Sequence, residues 1–207
     1  MRGAVPEPRL WWARLLGAAD ERTTVGVLSA DFPEDTVVDL PGDRRPPGWV
    51  IAARSDADGT RVRSVEVNLP GAPLLWYVEL PDPAADPAAT TLVAFSDARR
   101  ADGAVLTAEE GRAAGVGSGE QVAAVRWWPG SGLLHQLYVG PSHRRRGVAR
   151  TLVHAAGGVQ AARGLPPLRG DGRRTDLGEQ WLAGTAGYLA ARAAPRTHRM
   201  PPMTPVG

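Results

Sequence analysis

One segment in the second half of the chain constrains the fold more than any other. It runs Leu137-Tyr138-Val139-Gly140-Pro141-Ser142-His143-Arg144-Arg145-Arg146-Gly147-Val148-Ala149-Arg150-Thr151-Leu152. The first residues are apolar and suit a strand, which Pro141 would stop. From Gly147 to Arg163 apolar residues recur at helical spacing. The segment therefore predicts a strand, a basic turn and an amphipathic helix in direct succession.

The start of this helix is predicted to bind an anion. First-turn N–H groups lack intrahelical partners and carry partial positive charge. Gly147 and Ala149 leave room for a phosphate to approach the main chain, and Arg144, Arg145 and Arg146 would add charge-assisted contacts. Three consecutive arginines alone are more typical of a solvated turn, so the neighbouring strand, proline, glycine and helix decide the interpretation.

This pattern resembles the signature of the GNAT N-acyltransferase superfamily, a strand ending in V-x-P followed by R/Q-x-x-G-x-G/A and a helix. The matching residues are Val139-Gly140-Pro141 and Arg144 to Ala149. The resemblance implies that amides 145–149 hold the pyrophosphate of acetyl-CoA, the co-substrate, while the preceding strand pairs with its pantetheine arm. It implies cofactor contacts from Leu137, Tyr138, Val139, Arg144, Arg145, Arg146, Gly147, Val148, Ala149 and Arg150.

The resemblance covers only part of the chain. It is specific over about twenty residues, extends less specifically from Gln121 to Arg192, and does not reach the first ninety residues. The stretch Arg169 to Trp181 contains R-T-D-L-G-x-x-W, which resembles a version found in some bacterial and phage GNAT-like proteins. The implied fold class is α/β (α+β), a splayed, mostly antiparallel sheet flanked by helices.

Three regions are predicted along the chain. Residues 1–88 have short apolar runs separated by Pro, Gly and Asp, which indicates a β-rich N-terminal region. The Pro81 to Ala89 stretch has little to bury and is interpreted as a linker or a long surface loop at the domain boundary. Residues 89–192 would form the acetyl-CoA-binding core, with a hairpin at Pro129 to Gly132 and a late helix beginning at Asp176 with a capping box. Residues 193–207 are predicted to be disordered.

The resemblance also implies direct attack of an amine on the thioester, with no covalent enzyme intermediate. Strand alternation would place His135 on one face with Leu133, Leu137 and Val139, which makes His135 the candidate base. Tyr188 is the candidate acid. Plainer interpretations stay open, since His135 could be a packed or exposed histidine and Tyr188 a packing residue. His143 and His154 are expected at the surface.

Composition excludes several other classes. The 207 residues include no cysteine, so disulfides, thiolate metal sites and cysteine nucleophiles are excluded. No His, Asp and Glu spacing suggests a metal site. All 24 basic residues are arginine, yet the formal charge is only +2, which argues against a nucleic-acid partner. With no apolar run of signal-peptide or membrane-span length, a cytoplasmic protein is expected.

The predicted function is an N-acetyltransferase acting on a small-molecule or protein amine acceptor that the sequence does not identify. The main alternative is a catalytically inactive GNAT-like module that binds coenzyme A or serves as an interaction domain. A nucleic-acid-binding domain that uses the arginine turn is a second alternative. A truncated sheet edge would favour a homodimer.

Overall fold

The computed structural model describes residues 7–16, 20–185 and 187–201, and it contains two main sheets. The first sheet has the strand order β3-β1-β2-β4-β5. Its neighbours are antiparallel except for the parallel pair of β1 and β3. The strands are β1 (Arg9–Leu16), β2 (Glu21–Ser29), β3 (Val37–Pro41), β4 (Trp49–Asp56) and β5 (Val62–Val67).

The second sheet has six strands in the order β11-β10-β9-β7-β6-β8. Its four central strands are antiparallel, while β8 and β11 join the two edges in parallel. The strands are β6 (Trp76–Asp82), β7 (Ala89–Phe95), β8 (Val105–Thr107), β9 (Ala123–Trp128), β10 (Leu133–Val139) and β11 (Arg169–Gly170). A two-stranded pair follows, β12 (Arg173–Arg174) with β13 (His198–Arg199).

Four α-helices complete the described structure: α1 (Ala108–Ala113), α2 (Val148–Ala162), α3 (Asp176–Ala183) and α4 (Gly187–Ala190). Helix α2 contacts strands of both sheets, and 11 of its 15 residues are buried. One apolar cluster contains Ile51 of the first sheet, Leu92 of the second and Leu152 of α2. The two sheets therefore share one core, with α2 between them.

Of the two alternatives for Pro81 to Ala89, the loop is right and the linker between domains is wrong, because the stretch contains the connection of a hairpin. Strands β6 and β7 pair from Trp76 with Phe95 to Asp82 with Ala89, within one sheet. The chain passes from the first sheet to the second earlier, between β5 and β6. The Pro, Ala and Asp composition that suggested a linker is equally suitable for a solvated turn.

The structure confirms the helix predicted from Gly147, which is α2, and the hairpin at Pro129 to Gly132. It also confirms that the apolar runs before residue 88 form strands. Two local predictions were wrong. Helix α3 is capped by Thr175, whose hydroxyl accepts from the Gly178 amide, whereas Asp176 pairs with Arg196 and Arg199. Residues 193–201 are ordered by these ion pairs and by β13, while residues 202–207 lie outside the described structure.

Candidate functional site

The loop between β10 and α2 has an unusual backbone. A 3₁₀ turn at Pro141–His143 follows Gly140, whose amide donates to the Val122 carbonyl over 2.9 Å. Two later residues are left-handed, Arg145 with φ of 63° and Gly147 with φ of 79°. A left-handed conformation is costly for arginine, and such strain is found at ligand-binding turns more often than elsewhere.

This loop presents unused hydrogen-bond donors. Among the described residues, the amides of Arg145, Arg146 and Gly147 donate to no backbone carbonyl, and helix bonding starts with Thr151 donating to Gly147 over 3.0 Å. Arg144, Arg145 and Arg146 are exposed, and none takes part in an ion pair within those residues. A phosphate group would therefore meet free amides and uncompensated positive charge at one place.

Strand β10 leaves part of one edge open beside this loop. It pairs with β11 only at Leu133 and Leu134. From there β11 turns away, because the Gly170 amide donates to the Arg192 carbonyl over 3.1 Å. On that side, residues 136–139 face no strand within the described residues. The sheet thus splays at the predicted pantetheine position, which lies along Leu137 to Val139.

A bulge changes the face on which His135 lies. Leu134 pairs with Trp127 and Gln136 with Arg126, so His135 is the extra residue. The prediction that His135 shares a face with Leu137 and Val139 was therefore wrong. The exposed His135 ring stacks on Trp128, with ring centroids 4.9 Å apart. Trp127 lies on the opposite face of the sheet, where its indole N–H donates to Gln160 of α2.

Tyr188 lies on the helix side of the sheet and is bound to a histidine that was predicted to be at the surface. His154 is 1 % exposed because α2 is covered on both sides, so that prediction was wrong. Its Nδ1 lies 2.7 Å from the Arg150 carbonyl, and its Nε2 is hydrogen-bonded to the Tyr188 hydroxyl. Alternation and helical spacing gave no signal for this pair, because burial on both sides of a helix depends on long-range packing.

The protonation of this pair follows from its surroundings. Burial lowers the pKa of His154 to about 4, so the imidazole is neutral near pH 7. A neutral imidazole that faces a carbonyl through Nδ1 must carry its proton there, which leaves Nε2 as the acceptor. The Tyr188 hydroxyl therefore donates to His154, and burial raises the pKa of Tyr188.

A cavity of about 450 Å³ adjoins His154 and the splayed strand. Residues 134–137 of β10 line one side, and Val153, Gly157 and Ala161 of α2 line another. The first sheet contributes Leu10, Trp12, Val37 and Ile51, its β2–β3 connection contributes Asp35, and α3 contributes Gly178, Trp181 and Leu182. The N-terminal sheet therefore forms part of the candidate site, which sequence analysis did not foresee.

Comparison with known families agrees with this geometry. Residues 73–165 match the model of the acetyltransferase (GNAT) family. The match begins at residue 73, which corrects the expectation that the resemblance starts only after the first ninety residues. It extends from the segment before β6 to just beyond α2 and includes the whole loop. No curated protein and no solved structure gave a match.

The described residues lack a membrane-spanning helix and a metal-binding cluster. No helix there is long and apolar enough to cross a membrane. The same residues contain no cluster of His, Asp and Glu side chains that could hold a metal ion.

Proposed function

We propose that this chain transfers an acyl group from an acyl-CoA thioester to an amine. The observation that carries the proposal is the loop at 144–147, where amides without backbone partners, three arginines outside any described ion pair and a helix N-terminus meet beside a splayed strand. The GNAT match over the same residues supports this assignment. The donor set fits a pyrophosphate, which requires several N–H donors and positive charge.

Each part of the thioester substrate has a candidate position. The amides of residues 145–149 and the neighbouring arginines would bind the pyrophosphate. The open edge at Leu137, Tyr138 and Val139 offers backbone groups to the amides of the pantetheine arm. The bulge at His135 leaves the extra residue outside the regular register, and its N–H group would be the candidate donor to the thioester carbonyl.

The reaction itself needs two proton transfers. The amine nitrogen forms a bond to the carbonyl carbon, the carbon–sulfur bond breaks, the nitrogen loses a proton and the thiolate gains one. His135 or a water molecule beside it is the candidate base, on the Trp128 face. Tyr188 is the candidate acid on the opposite face, and its hydroxyl must turn from His154 to the sulfur to donate.

The proposal is tested by following thiol release from acyl-CoA thioesters across a panel of amines. We expect release that depends on the amine, and a fall in kcat of about a hundredfold for Tyr188→Phe, the size typical of general-acid catalysis. Unchanged turnover in Tyr188→Phe would remove that residue from the mechanism. Tight CoA binding without release for any amine would favour the inactive binding module instead.

A further inference from the structure

We infer that the cavity beside α2 is a binding site for a long acyl chain, so that the preferred donor is a fatty acyl-CoA rather than acetyl-CoA. The inference rests on the proposed function and specifies its substrate class. Three observations carry it: the direction in which the cavity extends from the loop, its apolar lining, and a helical glycine for which packing gives no reason.

The direction follows from the strand–loop–helix geometry. Strand β10 ends at the loop and α2 begins there, so Leu134 and Ala161 both lie far from the loop. A pantetheine arm that starts beside Val139 and runs back along β10 to Leu134 would span about 16 Å, the length of five strand residues. The cavity begins on α2 at Val153 and His154 and continues through Gly157 and Ala161 to Leu165. It therefore extends farther from the loop than the start of β10, in the direction of the acyl group.

The lining is apolar where a chain would lie. Leu10, Trp12 and Ile51 of the first sheet face this region together with Leu165 and Leu168. The acetyl methyl group is close in size to a water molecule, whose share of the liquid is about 30 Å³. An acetyl group would thus leave most of the 450 Å³ empty, whereas an alkyl chain would bury apolar surface along it.

Charged residues at the cavity do not contradict this assignment. Arg192 is neutralised by Glu34 at 2.9 Å and by Asp35 at 2.5 Å. Arg174 pairs with Glu179 at 2.7 Å. Arg169 and Arg173 are exposed, and the partly buried Asp171 carboxylate accepts from the Arg173 amide over 2.8 Å. The described lining therefore contains no fully buried charge without a partner.

Gly157 gives the most specific support. Glycine inside a helix is unfavourable relative to alanine, so a reason for it is normally found in packing. A Cβ atom at Gly157 would meet nothing within 4 Å, whereas one at the next residue, Gly158, would lie 2.8 Å from Ile51 Cγ2. Gly158 is therefore needed for packing, while Gly157 widens the cavity that it lines.

Calorimetric titration of CoA, acetyl-CoA and octanoyl-CoA into the full chain tests the inference. Each fully buried methylene contributes up to about fourfold in affinity, so octanoyl-CoA should bind at least tenfold more tightly than acetyl-CoA. Gly157→Leu should remove that advantage and leave the affinity for CoA within twofold of wild type. Ala161→Met, at a second lining position, should act in the same direction, and Gly157→Ala should change the octanoyl advantage much less.

Three results would overturn the inference. Equal affinity for acetyl-CoA and octanoyl-CoA would show that no chain enters the cavity. A Gly157→Leu variant that weakens CoA and octanoyl-CoA equally would show a general structural effect. A variant that raises KM for the amine but leaves chain-length preference unchanged would assign the cavity to the acceptor. If neither CoA nor any acyl-CoA binds, the proposed function itself is wrong. The three results above would overturn only the inference about the acyl chain.

Discussion

At the scale of single residues, the Gln160 side chain joins three segments. Its Oε1 accepts from Trp127 Nε1 over 3.0 Å, and its Nε2 donates to the carbonyls of Pro129 and Pro166 over 3.0 and 2.8 Å. Gln160 is fully buried, so water could not replace these bonds. The amide thereby connects α2 to the β9–β10 hairpin and to the segment that borders the cavity.

We expect Gln160→Leu to lower the free energy of unfolding by about 3 kcal/mol. The substitution leaves the buried Trp127 indole N–H without a partner and removes the donor from two partly buried carbonyls. A buried group left unsatisfied costs roughly 1–3 kcal/mol before relaxation. Urea unfolding of the variant and of Gln121→Leu, at an exposed glutamine, measures the difference. The control should stay within about 0.5 kcal/mol of wild type. A similarly small loss in Gln160→Leu would contradict the structural role.

His154 predicts a specific pH dependence of stability. Burial lowers its pKa from the ordinary 6.5 to about 4, so the unfolded chain binds a proton there more readily than the folded chain. The contribution of the neutral His154 to the free energy of unfolding is fully present above pH 6.5. As the pH falls towards 4, the free energy of unfolding decreases by roughly 3 kcal/mol.

Chemical denaturation between pH 7.5 and 4 measures this loss, which His154→Gln should largely remove. His198→Gln, at an exposed histidine, keeps the wild-type dependence if the interpretation is right. Identical pH profiles for wild type and His154→Gln would show that the imidazole does not titrate as its burial requires.

At the scale of elements, α2 combines two tasks. Its first turn faces the anion loop, and the rest packs between two sheets, where Gly158 allows close approach to Ile51. We therefore expect alanine substitutions at the two adjacent glycines to change the stability of the protein in opposite directions. Gly158→Ala should destabilise the protein by about 1–3 kcal/mol through overpacking. Gly157→Ala should stabilise it by about 0.5–1 kcal/mol, because alanine is the better helix former and meets open space.

Thermal and urea unfolding of the two variants provides a matched comparison, since the residues are adjacent in one helix. A loss of stability in both variants would mean that the space beside Gly157 is not available to a side chain. A gain in both would contradict the close packing of α2 against β4.

The strand, turn and helix at 133–163 could be predicted because their signals are local. Alternating and helical apolar patterns, Pro141 and Gly147 all act within a few residues. The His135 bulge could not be predicted, since a period-two pattern does not reveal an inserted residue. His154 contacts Tyr188, which lies 34 residues later in the chain, and the local sequence of α2 carries no trace of that contact.

At the scale of the whole molecule, the first sheet is part of the core that holds α2. Arg163 shows the connection, because it pairs with Glu79 of β6 at 2.6 Å and donates to the Thr60 carbonyl of the β4–β5 turn over 3.1 Å. Short apolar runs predicted β2 to β5 of this sheet but not β1 (Arg9–Leu16), and nothing local predicted the packing of the sheet on α2. The family match starts at residue 73 and so omits this half of the core.

A fragment that begins at residue 70 should therefore not fold cooperatively. It would expose the α2 face that contacts Ile51 and Val65, and it would lose the walls that Leu10 and Trp12 give the cavity. Circular dichroism during urea unfolding tests this, with the full chain as the control. A sharp transition for the fragment, comparable to that of the full chain, would show that the family-matched region is independent.

The central claim is that the 144–147 loop binds the pyrophosphate of coenzyme A. The most direct test is calorimetric titration of CoA into wild type, into Arg145→Glu with Arg146→Glu, and into Arg100→Glu, a charge reversal at another exposed arginine. We predict micromolar binding to wild type and to the Arg100 variant. The double reversal should bind at least tenfold more weakly, since carboxylates would replace charge-assisted donors. No binding to wild type, or equal affinity in all three proteins, would contradict the claim.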